Sequence, residues 1–153
     1  MRDIIRVREL LKEGADVNVR DKEHNETPLM LAVKFADSAM VQLLLDAGPE
    51  VNARDDWGRT ALFYAPVLSE VFEALHNAGG DVHARDDKGN TILMRKVSES
   101  ASLAHVEELL RRGVDQSVKN EAGETALDMA ESLGLVKIVE RFRLGGGLTK
   151  PCS

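Results

Sequence analysis

Cysteine is nearly missing from this sequence: the one copy, Cys152, sits beside the C-terminus, so no internal disulfide framework braces the chain. Long apolar runs are missing too, and nothing approaches the roughly 18 apolar residues that a membrane-spanning helix needs. The N-terminus mixes Ile4, Ile5, Val7, Leu10 and Leu11 with charges and has no apolar segment followed by a small-residue cleavage site. No secretory leader is therefore expected, and the cytoplasm is the simplest compartment. Basic charge is in deficit, 20 Lys and Arg against 26 Asp and Glu, for a net charge of −6 with the acids dispersed. A nucleic-acid binder needs a basic stripe to displace counterions from phosphates, and none is visible. Aromatics are also few, one Trp, one Tyr and four Phe. What remains, 43% apolar and 30% charged residues, is ordinary for a soluble folded chain and too apolar for disorder.

The chain repeats. "GADVN" from Gly14 returns in worn form as "GPEVN" from Gly48, "GGDVH" from Gly79 and "GVDQS" from Gly113, at spacings of 34, 31 and 34 residues. A threonine keeps nearly the same period, at Thr27, Thr60, Thr91 and Thr125. Each Thr precedes a short apolar run, and a second amphipathic run follows: "MVQLLLDAG", "VFEALHNAG", "HVEELLRRG", "VKIVERF", with "RVRELLKEG" as the first of the series. Each unit is thus a pair of short helices, a glycine-ended stop and a turn of "RDD.G" type. The threonines fit N-caps, and Gly48, Gly79 and Gly113 fit left-handed positions just past a helix.

These residues resemble the ankyrin-repeat family. "DDWGRTALFYA", "DDKGNTILM" and "NEAGETALDMA" are similar to the opening of its unit, and "LLKEGADVNVRD", "LLLDAGPEVNARD" and "GGDVHARD" to its close, over roughly residues 4–143. The resemblance implies an all-α solenoid of stacked helix–turn–helix units whose hairpin loops project as fingers beside a concave face. It divides the chain into a half-unit 1–20, units 21–54, 55–85, 86–119 and 120–144, and a flexible tail 145–153. It implies a protein-binding module, an adaptor or scaffold. A free-standing inhibitor that blocks a toxin or enzyme, or a substrate-presenting part of a larger enzyme, are the alternatives.

Departures from the pattern carry the specific expectations. The chain starts at the second helix of a unit, so a truncated or short half-cap is expected there, or a covering surface; a monomer is expected, with a dimer through that N-terminal face as the alternative. The family's His position, whose side chain the resemblance implies helps tie a Thr to neighbouring backbone by hydrogen bonds, holds Met30, Phe63, Met94 and Asp128, which predicts a less rigid stack. Unit 55–85 is two residues short, and Pro66 should end its first helix at about Ala65. Unit 86–119 has one extra residue, expected in the loop Ser98–Ser102. Phe63 and Tyr64 read as filling space left by the shortened helix, and Tyr64 also as a binding residue. Arg95 and Lys96 stand where the pattern has Leu and Ala; they either tilt to solvent or meet a partner.

Trp57 falls at a finger tip with little of its own chain to bury against, beside Arg59, a composition typical of binding hot spots; packing across adjacent fingers is the alternative. The expected partner-binding set is Trp57, Arg59, Lys88 and Asn90 on fingers, with Lys34, Phe35, Tyr64, Arg95 and Lys96 on inner helices. The partner expected is a protein with an acidic or mixed-charge patch. No catalytic site, metal or cofactor is expected: His24, His76, His83 and His105 lack ligand spacing, and the Asp pairs at 55–56 and 86–87 recur with the period, as turn residues do. "GGG" from Gly145 follows a helix, not a strand, and so forms no phosphate cradle.

Overall fold

The computed structural model describes residues 2–145, and the side chains of residues 3–144. Apart from Gly145, which closes the last helix, the expected tail lies outside the described residues, as does Cys152. The described residues form nine helices: α1 (Arg2–Lys12), α2 (Pro28–Lys34), α3 (Ser38–Asp46), α4 (Ala61–Tyr64), α5 (Glu70–Asn77), α6 (Ile92–Ser100), α7 (Leu103–Arg111), α8 (Ala126–Ser132) and α9 (Val136–Gly145). None of them is long and apolar enough to cross a membrane. They fall into two compact units, one up to Ala84 and one from Arg85 on.

In the first unit α2 packs on α3 and α4 on α5, while α2 lies on α4, α3 on α5, and α1 on α3. In the second, α6/α7 and α8/α9 pair, with α6 on α8 and α7 on α9. First helices stack on first helices and second on second, so each pair buries an apolar side that it could not bury alone. Leu29, Met30, Val33, Leu62, Phe63 and Phe72 fill the first core; Leu93, Met94, Val97, Leu109 and Ile138 fill the second.

The caps form largely where the threonines predict them. Thr27 Oγ1 accepts from the amide of Met30 at 3.3 Å, with Pro28 in the first helical turn where its missing N–H costs nothing. Thr91 accepts from Met94 at 3.4 Å, and Thr125 forms a reciprocal capping box in which the Asp128 carboxylate takes the Thr125 amide at 2.7 Å. Asp128 thus performs locally the tying role that the family's histidine implies. Thr60 departs from expectation: its buried hydroxyl has no hydrogen-bond partner among the described residues. The Phe63 amide that it would accept from bonds instead to the Thr60 carbonyl, at 3.0 Å, because α4 is a single tightened turn. That helix stops where Pro66 predicts, with Ala65 extended at φ −69°, ψ 138°.

The extra residue of unit 86–119 is not in a loop. It lengthens α6 to Ser100, leaving only Ala101 (left-handed, φ 47°) and Ser102 between the helices. The hydroxyls of Ser98 and Ser100 donate back to the carbonyls of Met94 and Lys96, a bond that only a continuing helix offers.

Gly48, Gly79 and Gly113 occupy the left-handed region, as predicted. A finger glycine is more constrained still. Gly89 has φ +74°, and a Cβ there would meet Arg85 Nη2 at 2.8 Å and the Glu121 amide at 3.2 Å, whereas Gly113 (φ +80°) has nothing within 4 Å. Both Gly→Ala changes should cost the roughly 1–2 kcal/mol of left-handed strain, with Gly89→Ala costing about 1 kcal/mol more. Urea titration of the two variants checks this; equal midpoints would contradict it.

Candidate functional site

The finger of residues 55–60 is ordered by one buried carboxylate. Asp55 Oδ1 accepts from the amides of Trp57 and Arg59, each at 2.9 Å, and Oδ2 takes a short hydrogen bond from the Tyr64 hydroxyl. Aspartate suits this place because its short side chain mimics a backbone acceptor across a turn. The bonds fix the finger and leave the Trp57 side chain 41% exposed. Its ring leans on His24 of the preceding finger (4.8 Å between centroids, tilted 50°), and the Arg59 guanidinium lies 5.5 Å from its centroid. The Trp57 ring thus packs across adjacent fingers and still offers a broad face to solvent.

The two fingers are also stapled. Arg20 donates to the carbonyls of Asn25 (3.0 Å) and Arg54 (2.7 Å), and the Asp56 amide donates to the His24 carbonyl (3.1 Å). Asn18 and Asn52, the asparagines of "GADVN" and "GPEVN", reach forward one repeat: Asn18 accepts from the Glu50 amide, and Asn52 bonds both the Gly79 carbonyl and the Asp81 amide. The recurring asparagine thus links one turn to the next.

Beside this finger, Lys34 on α2 pairs with the buried Glu26 at 2.7 Å and sits 5.1 Å over the Tyr64 ring. Trp57, Arg59, Tyr64 and Lys34 therefore form one patch. Phe35, 81% exposed, rims a separate apolar cleft of about 260 Å³ lined by Val7, Leu31, Met40 and Leu44. Burial first, and then the hydrogen bond to Asp55, push the Tyr64 phenol up from its ordinary value of 10.0 to about 12. A folded-state value above the unfolded one favours folding fully below pH 10 and less as pH climbs from 10 toward 12. Tyr64→Phe should flatten that part of the stability–pH curve, as thermal melts across pH 9–12 would register.

In the second unit Asp86 repeats the arrangement, accepting from the amides of Lys88 (3.0 Å) and Asn90 (2.8 Å). The Asn90 side chain is engaged within the fingers: it donates to Asp86 Oδ2 at 3.2 Å and accepts from Asn120 Nδ2 at 2.9 Å. Lys88 is exposed, and Arg85 staples its finger to the Lys119 carbonyl at 2.6 Å. Arg95 is half-buried and paired with Glu99 at 2.5 Å. Lys96 does not tilt to solvent as one reading held. It is only 7% exposed, its Nζ 3.7 Å from Glu99, and burial holds its ammonium below the usual lysine range. Among the described residues no group of three or more His, Cys, Asp and Glu is placed to hold a metal ion.

Residue-by-residue reading missed Arg20, His24 and Glu26, and the cleft residues Val7, Leu31 and Met40. Arg20 had a signal, the "RD" shared by "VNVRD", "VNARD" and "VHARD" at the period. His24 had none, since its finger lacks the usual glycine and turns on Asn25 instead, at φ 59°.

Residues 3–68 match the family model for ankyrin repeats (3 copies). The chain is 44% identical over 62 residues to Ankyrin repeat and SOCS box protein 6 of Mus musculus, covering 40% of this chain and 15% of that protein. It is 32% identical over 141 residues to a putative ankyrin repeat protein of Fowlpox virus, covering 87% of this chain and 41% of that protein. It is 41% identical over 59 residues to the Neurogenic locus Notch protein of Drosophila melanogaster, covering 39% of this chain and 2% of that protein. The chain thus spans less than half the length of these relatives. Ankyrin repeats are protein–protein interaction modules, in general without enzymatic activity. With threonine caps, glycine stops and fingers ordered by Asp86 and then Asn120 continuing past the matched residues as far as α8, the chain belongs to the ankyrin-repeat family.

Proposed function

We propose that the chain is an adaptor or scaffold module that binds a partner protein through the patch of Trp57, Arg59, Tyr64 and Lys34, with Phe35 at its own cleft as a further apolar anchor. The observation that carries this reading is Trp57: a large ring held in place by His24 and Arg59 yet 41% exposed. A fixed, half-exposed Trp beside Arg loses little conformational freedom on docking. Its truncation in an interface typically costs about 2 kcal/mol or more. Lys34 and Arg59 favour a partner with an acidic or mixed-charge patch, and Lys88 and Arg95 offer the same chemistry on the second unit. Asn90 supports its finger from within, and Lys96, being buried, stays outside the contact set. The relative named for ankyrin repeats and a SOCS box supports the modular reading, as repeats joined to a different domain.

The test is capture from source lysate on immobilised wild-type chain and on a Trp57→Ala, Arg59→Glu variant shown by circular dichroism to be folded. The variant should retain at least about tenfold less of the captured protein. Equal capture by both would remove the finger patch from the account.

A further inference from the structure

His24 is the only histidine on the two stapled fingers, and imidazole is the side chain whose charge ordinarily changes between about pH 5 and 8. Its position does not depend on that charge. The His24 amide donates to Asp21 Oδ1 at 2.7 Å and its carbonyl accepts from the Asp56 amide at 3.1 Å. Backbone bonds therefore hold the exposed imidazole against the Trp57 ring, with Arg59 5.5 Å from the centroid of the same indole. A cation beside indole is favoured by the ring's quadrupole, so protonation keeps this contact. The surrounding charges otherwise cancel. On its own finger stand Arg20, Asp21, Lys22 and Glu23, and on the finger packed against it Arg54, Asp55, Asp56 and Arg59, four bases against four acids. Glu26, the remaining acid, is taken by Lys34 from α2. The Asp21 carboxyl is held below the usual carboxylate range, first by the His24 amide, and keeps its charge through this interval. One proton on His24 thus turns a neutral pair of fingers into a net cation beside the half-exposed indole.

We propose that His24 is a further binding residue of this patch, through which it takes an acidic segment of a partner protein more tightly as pH falls from 8 to 5.5. The proposal rests on the reading of the Trp57 patch as the docking site. Carboxylates of such a segment stay ionised over this range, so the change in attraction comes from the imidazole. With the imidazole protonated, His24 and Arg59 both offer positive charge; without the proton, Arg59 alone does. One exposed charge contributes little, so the effect is about two- to fivefold in affinity and shrinks with salt.

Trp57 is the chain's one tryptophan, so quenching of its fluorescence reads the local charge in the free chain. Iodide, an anion, should quench it about twofold more strongly at pH 5.5 than at pH 8. Neutral acrylamide should quench it equally at both. His24→Gln should flatten the iodide response, and His24→Arg should give the stronger quenching at both pH values. Equal acrylamide quenching across the three chains shows that the finger keeps its shape. The protein captured on the wild-type chain supplies the second readout. The ratio of its affinities at pH 5.5 and pH 8 should be about two- to fivefold larger for wild type than for His24→Gln. Iodide quenching that is flat with pH, or unchanged by His24→Gln, overturns the proposal, as does an affinity ratio equal in the two chains. The docking site itself stands in those cases if capture still needs Trp57 and Arg59. Capture indifferent to the Trp57→Ala, Arg59→Glu change removes the docking site, and this proposal with it.

Discussion

Replacing Phe63 by alanine is expected to destabilise the first unit by about 3–5 kcal/mol, the range for deleting a buried ring whose space cannot collapse. Phe63 is 1% exposed and sits in α4, a helix of only four residues, so few neighbouring side chains can move in to fill the space. It stands where the family pattern carries a histidine, and here packing replaces hydrogen bonding at that position. Trp57, the chain's one tryptophan, lies in the same unit, so its fluorescence during urea unfolding reports that unit. With a urea slope of about 1–3 kcal/mol per molar, the midpoint should fall by 1 M or more. Phe35→Ala, at an exposed ring, should leave it within about 0.5 kcal/mol. A Phe63→Ala midpoint indistinguishable from wild type would refute the packing described for α4.

Asp55→Ala is the second large effect. The carboxylate is buried and accepts from the Trp57 amide, the Arg59 amide and the Tyr64 hydroxyl. Its removal strands donors in a partly closed finger, a loss of about 2–4 kcal/mol, since bonds to a charged acceptor are strong and their loss leaves unmet polar groups. Asp55→Asn keeps one acceptor oxygen for the two amides and should lose clearly less. Hydrogen exchange at the Trp57 and Arg59 amides separates the two variants: fast exchange is expected in Asp55→Ala and intermediate exchange in Asp55→Asn. Unchanged protection in Asp55→Ala would show that some other group orders the finger. The same substitution should weaken partner binding as well, because the finger that presents Trp57 would lose its fixed shape.

Much of this was legible from spacing, because Thr, Gly and Asp act locally. A threonine caps the amides three residues on, a glycine takes the left-handed step after a helix, and an aspartate bonds its own turn, so their period reports the unit directly. What was not legible depended on a competing partner. Thr60 looks like the other threonines, but its single-turn helix gives the Phe63 amide to the Thr60 carbonyl. The inserted residue near Ser98–Ser102 looks like loop by composition, but Ser98 and Ser100 can bond backward within a helix. Lys96 looks like a surface charge, but Glu99 one turn on gives its ammonium a partner at the edge of the core. The patch of Trp57, Arg59, Tyr64 and Lys34 joins residues up to 30 positions apart, and only the stacking of α2 on α4 brings Lys34 over Tyr64.

The central claim is that Trp57 meets the partner, and its fluorescence tests that claim without any mutation. The protein captured on the wild-type chain would be purified in a form whose own fluorescence can be subtracted, then titrated into the free chain while emission and acrylamide quenching are followed. The account predicts a blue shift and reduced quenching that saturate with binding, as the exposed face of the ring leaves water. Saturated binding with emission and quenching unchanged would contradict it and move the search to the Phe35 cleft.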